Sequence, residues 1–351
     1  MKNRNKYDIY FTIESDFMAL LRFIDTDYRY GYHATKYPSM LKTITAITKD
    51  TSFSAMQIYI SSPKSKAPPT FDYVDLMATR KIIENSGIYV VIHGCLLYNL
   101  AGTTNGEKDG NYHSALASTL QSLTAELDFG VIINAGVVVH PGTQKNTEDG
   151  LIRISKSIEE VLTRKTVESE KIAKLLNIDA SDVIKRRIII LENAAGEGTK
   201  LCSTLEEISK VINGVKKDLR CQIKVCIDTA HSFGRGIYDW GKKGEIEKFY
   251  KDFDKIIGLN YLELFHFNDS MKSDEKAKNA PFGSRKDRHQ QLGSGWIFGG
   301  EDRLGQIKTF MLEARKHKIA IIGEPPESGL KDWCIVSELL ENTEYPLMKI
   351  M

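Results

Sequence analysis

The chain has 351 residues, 42% of them apolar and 27% charged, with a net charge of +2. That length and apolar share suit one large soluble domain with a sizeable core. The near-neutral balance excludes a histone-like or polybasic protein, although a local basic patch can still carry phosphate contacts.

The five cysteines, Cys95, Cys202, Cys221, Cys226 and Cys334, form no CxxC pair. This argues against a secreted disulfide scaffold or a cysteine-ligated zinc ribbon, and for a reducing, intracellular compartment. The basic N-terminus is followed by no apolar stretch of signal-peptide type, and no apolar run approaches the ~18 residues of a transmembrane helix. No membrane association is expected.

In chain order, β-branched apolar runs alternate with stretches of helical spacing. Tyr28–Thr35 reads as a strand, Ser39–Asp50 as a helix, Ala55–Ser61 as a strand and Asp72–Ser86 as a helix. Tyr89–Cys95, Gly136–His140, Arg187–Asn193 and Ile223–Asp228 continue the strands, with helices over Ser114–Asp128, Gly150–Arg164 and Leu205–Val215. Helix Glu245–Ile257 precedes strand Tyr261–Asp269, and helix Leu304–Lys316 precedes strand Ile319–Glu324. Nearly continuous apolar runs are what parallel strands buried on both faces look like, and eight strand–helix repeats predict a closed (β/α)8 barrel. An open doubly wound sheet is the alternative, but no GxGxxG follows the first strand. One barrel domain is expected over 28–351, preceded by an N-terminal extension over 1–27. Thr166–Arg186 and Ser270–Arg288 read as polar surface insertions.

Each strand ends in chemistry. His93, His140, Glu192, Asp228, His266 and Glu324 close strands three to eight, His231 follows Asp228 by three residues, and Asp287 and His289 lie beyond strand seven. Of eight histidines in the chain, only His113 and His317 sit on helices; the other six, His33 included, fall at or just after strand ends. In a TIM barrel these ends converge on one face. A lone strand-end histidine is usually a capping residue. Imidazoles and carboxylates converging together predict a metal cluster, of a donor type that suits Zn, Mn or Fe better than Mg or Ca.

Several segments carry a more specific pattern: Gly31-Tyr32-His33, His140-Pro141-Gly142, Leu191-Glu192-Asn193-Ala194-Ala195-Gly196, Cys226-Ile227-Asp228-Thr229-Ala230-His231, His266-Phe267-Asn268-Asp269, and Arg285-Lys286-Asp287-Arg288-His289 followed by Leu292-Gly293-Ser294-Gly295. From Tyr28 to the end of strand eight the chain resembles the endonuclease IV family of apurinic/apyrimidinic endonucleases. The resemblance implies a TIM barrel holding three metal ions, zinc or in part Mn2+ or Fe. The first would take His93, His140 and Glu192, the second Glu192, Asp228, His266 and Glu324, and the third His231, Asp287 and His289. Glu192 and Glu324 would be the catalytic carboxylates, and His33 would lie near the site without being a ligand.

The implied reaction is hydrolysis 5′ to an abasic deoxyribose in double-stranded DNA, giving a 3′-hydroxyl and a 5′-deoxyribose phosphate, with trimming of blocked 3′ ends. Paired metals lower the pKa of water and clamp the attacking and leaving oxygens. A base already missing makes flipping the nucleotide out of the stack least costly. The family's DNA-inserting arginine is replaced by Lys64, and its tyrosine wedge by Leu96. Lys64, Lys66, Arg285, Lys286 and Arg288 would contact phosphates, Asn268 and Asp269 would support the ligands or touch substrate, and Tyr98 is more suited to packing than to replacing the wedge. No obligate protein partner is implied, and a monomer is favoured. The compartment would be cytoplasm or nucleus, or host cytoplasm or virion if the A+T-rich residue usage reflects a large DNA virus. The competing readings are a sugar isomerase of the related xylose-isomerase-like barrels, a non-catalytic damage-binding protein and a different metallohydrolase.

Overall fold

The computed structural model describes residues 29–36, 38–50, 53–102, 111–326 and 329–341; the expected N-terminal extension lies outside them. Eight parallel strands close into a barrel. They are β1 (Tyr30–Ala34), β2 (Ala55–Ile58), β3 (Tyr89–His93), β4 (Gly136–Val139), β5 (Ile189–Glu192), β6 (Ile223–Asp228), β7 (Leu262–His266) and β10 (Ala320–Gly323). Between β7 and β10 lies a short antiparallel pair, β8 (Asp269–Ser270) and β9 (His289–Gln290). The order around the barrel is β1-β10-β7-β6-β5-β4-β3-β2, so the closed alternative holds over the open sheet. Each strand lies within its predicted run, and the runs overshoot where polar residues leave the ladder for the loops.

Strand periodicity sorts the side chains. Ala55, Val91, Val138, Ile190, Cys226, Leu264, Ala320 and Ile322 fill the barrel interior as one buried cluster. Two residues further along, the same inward face presents Gln57, His93, His140, Glu192, Asp228, His266 and Glu324. His33 on β1 is in register with Gln57 on β2 and completes the ring. Gly31 permits β1 to approach β2, since a Cβ there would stand 1.7 Å from the Ala55 carbonyl oxygen.

The outer helices are α1 (Met40–Asp50), α2 (Tyr73–Ser86), α3 (Asn111–Ile133), α4 (Thr147–Thr163), α5 (Val167–Leu176), α6 (Ala180–Lys185), α7 (Leu205–Gly214), α8 (Thr229–Arg235), α9 (Glu245–Ile256), α10 (Glu301–Lys316) and α11 (Gly329–Glu341). Their starts follow capping chemistry. Asp72, Asn146 and Thr204 each accept the backbone N–H three residues on, which satisfies a donor the helix leaves open. Among the described residues no helix is long and apolar enough to cross a membrane.

The Thr166–Arg186 insertion is α5 and α6, and it is anchored as well as exposed. Ile172, Ala173 and Val183 are buried. Beneath it Arg187 pairs with Asp128 at 2.7 Å, both fully buried, and the Thr166 hydroxyl donates to the second Asp128 oxygen at 2.7 Å. Two further Arg187 bonds reach the Val161 and Arg164 carbonyls at 2.8 and 2.7 Å. Losing one partner of such a buried pair costs about 3–5 kcal/mol.

Candidate metal centre

The inward ring brings the expected ligands together at the C-terminal end of the barrel. Glu192 is its hub, fully buried. Its Oε2 lies 3.5 Å from His93 Nε2 and 3.5 Å from His140 Nε2, and its Oε1 lies 3.1 Å from His266 Nδ1 and 3.3 Å from His231 Nδ1. Asp228 is both cap and candidate ligand. One oxygen accepts the His231 backbone N–H at 2.8 Å and so starts α8, while the other faces His289 Nε2 at 3.4 Å. Asp287 Oδ1 stands 3.1 Å from His231 Nε2 and 3.5 Å from His289 Nε2. Glu324 Oε2 lies 3.3 Å from His266 Nδ1.

Three donor groups emerge: His93–His140–Glu192, Glu192–Asp228–His266, and Asp228–His231–His289. The resemblance put Asp228 in the second group alone; its capping geometry turns it toward the third as well. Asp287 adjoins the third group and Glu324 the second.

Supporting contacts orient the rings. His93 Nδ1 donates to the Gly94 carbonyl at 2.8 Å, which leaves the Nε2 lone pair facing Glu192. His231 Nδ1 reaches the Asn193 carbonyl at 2.8 Å, which likewise frees its Nε2. Asn268 Nδ2 donates to Asp228 Oδ2 at 2.8 Å and its Oδ1 accepts the Glu324 backbone N–H at 2.9 Å. Trp240, fully buried, donates to the Thr229 carbonyl and the Ser232 hydroxyl and pins α8. Asp269 faces away from the cluster: its carboxylate accepts backbone N–H groups of Ser270, Gly295 and Ile297 at 2.8, 3.0 and 2.8 Å. Burial pushes it up to about 6 against those bonds.

The electrostatics follow from crowding. Burial alone would raise the Glu192 carboxyl, but the imidazoles of His140, His266 and His93 hold it well below the usual range. Glu324 and Asp287 are lowered in the same way, against burial, by His266 and His33 and by His231 and His289. Burial pushes His140 down to about 4, with His93 and His231 adding to it. His289 rises to about 9 because Asp228 and Asp287 outweigh its burial.

The donor set fits metal ions. Glu192 Oε2, His231 Nε2 and His289 Nε2 are buried with no hydrogen-bond partner. Such atoms are costly unless something else engages them. Two donors bound to one tetrahedral zinc at about 2.1 Å stand about 3.4 Å apart, and the pairs above span 3.1–3.5 Å. The five cysteines are unpaired and outside all three groups.

The basic residues divide. Lys64, Arg285 and Arg288 are exposed at the loops beside the cluster; Arg285 holds a positive φ of 54°, and Arg288 Nη1 donates to the Asp287 carbonyl and lies 3.6 Å from Glu197. Lys66 donates to the Ala115 carbonyl at 3.4 Å, and Lys286 donates to the Lys276 and Asn279 carbonyls at 2.6 and 2.8 Å, so both heads are engaged within the protein. Leu96 is 44% exposed and Leu97, which sequence reasoning did not single out, is 50% exposed. Tyr98 is buried and donates to Ser122 at 2.8 Å, as a packing residue does. Gln57 was also missed. Its place two residues beyond Ala55, on the inward face, is the signal that could have found it.

Residues 46–313 match the model of the xylose isomerase-like TIM barrel family. A probable endonuclease 4 of Halothermothrix orenii is 30% identical over 300 residues, 82% of this chain and 94% of that protein. Another, of Geobacillus kaustophilus, is 31% identical over 248 residues, 70% of each chain. Among solved structures, endonuclease IV of Thermus thermophilus superposes with a TM-score of 0.65 over 89% of this chain and 97% of that one, at 24% identity. By its donor ring and by these relatives, the chain belongs to the endonuclease IV family within the xylose isomerase-like TIM barrels.

Proposed function

We propose that the chain is a metal-dependent DNA repair endonuclease that hydrolyses the phosphodiester 5′ to an abasic site in duplex DNA and leaves a 3′-hydroxyl and a 5′-deoxyribose phosphate. The observation that carries this is the trio of donor groups sharing Glu192 and Asp228, together with membership of the endonuclease IV family. In this reading residues 28–351 are the catalytic domain, 1–27 are an extension, and the enzyme works in the cytoplasm or nucleus, where its DNA is.

His93, His140 and Glu192 would hold one ion, Glu192, Asp228, His266 and Glu324 a second, and His231, Asp287 and His289, with Asp228 beside them, a third. Zinc suits the mixed imidazole and carboxylate donors, and Mn or Fe would also be accepted. Bound ions would neutralise phosphate charge, lower the pKa of water and stabilise the leaving oxygen. Glu192 and Glu324 are held as anions by their imidazole neighbours, so they act as charge holders and neither supplies a proton. Asn268 keeps Asp228 and Glu324 in place. Lys64, Arg285 and Arg288 stand where the DNA backbone would pass, and Leu96 offers apolar bulk at the gap left by a flipped nucleotide. The same centre would trim blocked 3′ ends, because only the leaving group differs. A sugar isomerase needs only one or two of the donor groups, and the loop bearing Asp287 and His289 has no task there.

The test is a duplex with one tetrahydrofuran abasic analogue, which resists lyase chemistry, beside an undamaged duplex. A nick 5′ to the analogue, abolished by chelation and by Glu324→Gln, is expected. No nick with any metal supplied refutes the reading.

A further inference from the structure

We infer that Gln57 is a positioning residue that sets which nitrogen of His266 faces the metal centre and fixes the adjoining Glu324 carboxylate. This rests on the reading of the donor groups as metal sites. Gln57 is fully buried and is the one member of the inward ring that is neither imidazole nor carboxylate. Its amide nitrogen lies 2.6 Å from Glu324 Oε1 and 2.9 Å from His33 Nδ1. Its oxygen lies 2.8 Å from His266 Nε2.

The proton assignments follow from chemistry. A carboxylate only accepts, so the amide NH2 must face Glu324. The amide oxygen must then face His266, and an oxygen only accepts, so His266 carries its proton on Nε2. That leaves the Nδ1 lone pair aimed at Glu192 Oε1 and Glu324 Oε2, 3.1 and 3.3 Å away. The same NH2 also lies against His33 Nδ1, which stands 3.4 Å from Glu324 Oε1, so the strand β1 histidine joins this network without a metal bond. A neutral amide does what no titrating group could do here: it offers a donor to Glu324 and an acceptor to His266 at any pH. Partners of this kind typically govern metal affinity or activity by about 10–100-fold.

Gln57→Met keeps the side chain's volume and removes both hydrogen-bonding atoms, so a mere packing role predicts no effect. The expected result is a zinc affinity, read by chelator competition, lowered about 10–100-fold at one site. The kcat on the abasic duplex should fall with it while KM changes little, since Gln57 is out of reach of DNA. Imidazole nitrogen shifts of the zinc-loaded wild type supply a second readout that does not depend on the variant folding. They should show His266 protonated on Nε2 and not on Nδ1. A proton on Nδ1, or a folded variant with unchanged zinc affinity, overturns the inference while abasic nicking by the wild type stands. A wild type that binds no metal overturns both.

Discussion

Glu192 belongs to two of the three donor groups, so Glu192→Gln should empty two sites and spare Asp228–His231–His289. Glutamine keeps the volume but takes away the charge and one acceptor. An ion held at 100 times its dissociation constant stabilises the fold by about 2.7 kcal/mol. In the proposed three-ion centre the ions would together contribute about 8 kcal/mol, and the single ion left in the variant about 2.7. With about 2.1 cal/mol/K of unfolding entropy per residue over roughly 300 residues, 1 kcal/mol moves Tm by about 1.6 °C. Chelator should therefore lower the wild-type Tm by about 13 °C and that of the variant by about 4 °C. Comparing each protein with its own chelated form cancels the effect of the substitution on the metal-free cluster. The assay is calorimetry with and without chelator, beside metal content per chain. Equal chelator-induced shifts in the two proteins, or three metals retained by the variant, would refute the shared-hub argument.

Two further outcomes are expected. Asp332 on α11 accepts the Leu292 backbone N–H at 2.8 Å and a Gln291 side-chain bond, and so holds the loop that follows His289. Burial raises it to about 7, above its unfolded value, so its stabilising contribution is complete below about pH 4 and is lost as pH rises through about 7. Between pH 5 and 8 that amounts to about 3 kcal/mol. Asp332→Asn should flatten this part of the urea-midpoint profile; an unchanged slope rejects it. In duplex binding, Lys64→Ala or Arg285→Ala should each reduce the salt slope by about 0.9, and Arg288→Ala by less, because its Nη1 already donates to the Asp287 carbonyl. Lys66→Ala and Lys286→Ala should leave it unchanged, because those heads already donate to carbonyls.

The barrel was legible because its strands are apolar on both faces, and the donor cluster because strand-end chemistry repeats at fixed strand positions. Other features had no local signature. Gln57 carries neither charge nor imidazole, so only its register with His33 and Ala55 marks it. The Lys- and Glu-rich character of Thr166–Arg186 reads as surface because the pair that anchors it joins Asp128 and Arg187 across distant sequence. Asp228 was assigned to one group because a sequence does not show that capping α8 turns its second oxygen toward His289. The short α8 offers too few turns for a periodic pattern, and α11 lies past the last strand, where the repeat had ended.

The charge balance of the centre explains why so many anions are gathered where an anionic substrate must come. Glu192, Asp228, Asp287 and Glu324 place four carboxylates within a few ångströms of the buried imidazoles. Without ions, that set is kept together by protons on the histidines, as the raised His93, His231, His266 and His289 indicate, which leaves it close to neutral. Three divalent ions would displace those protons and leave a net of about +2 over the ligand shell, enough to attract a phosphodiester in a partly desolvated cleft. In the proposed reading, metal loading would then turn a near-neutral cleft into one that attracts DNA. Because His289 is raised to about 9 and His231 and His266 are raised as well, metal affinity should weaken already as pH falls below about 9, and duplex binding should weaken with it.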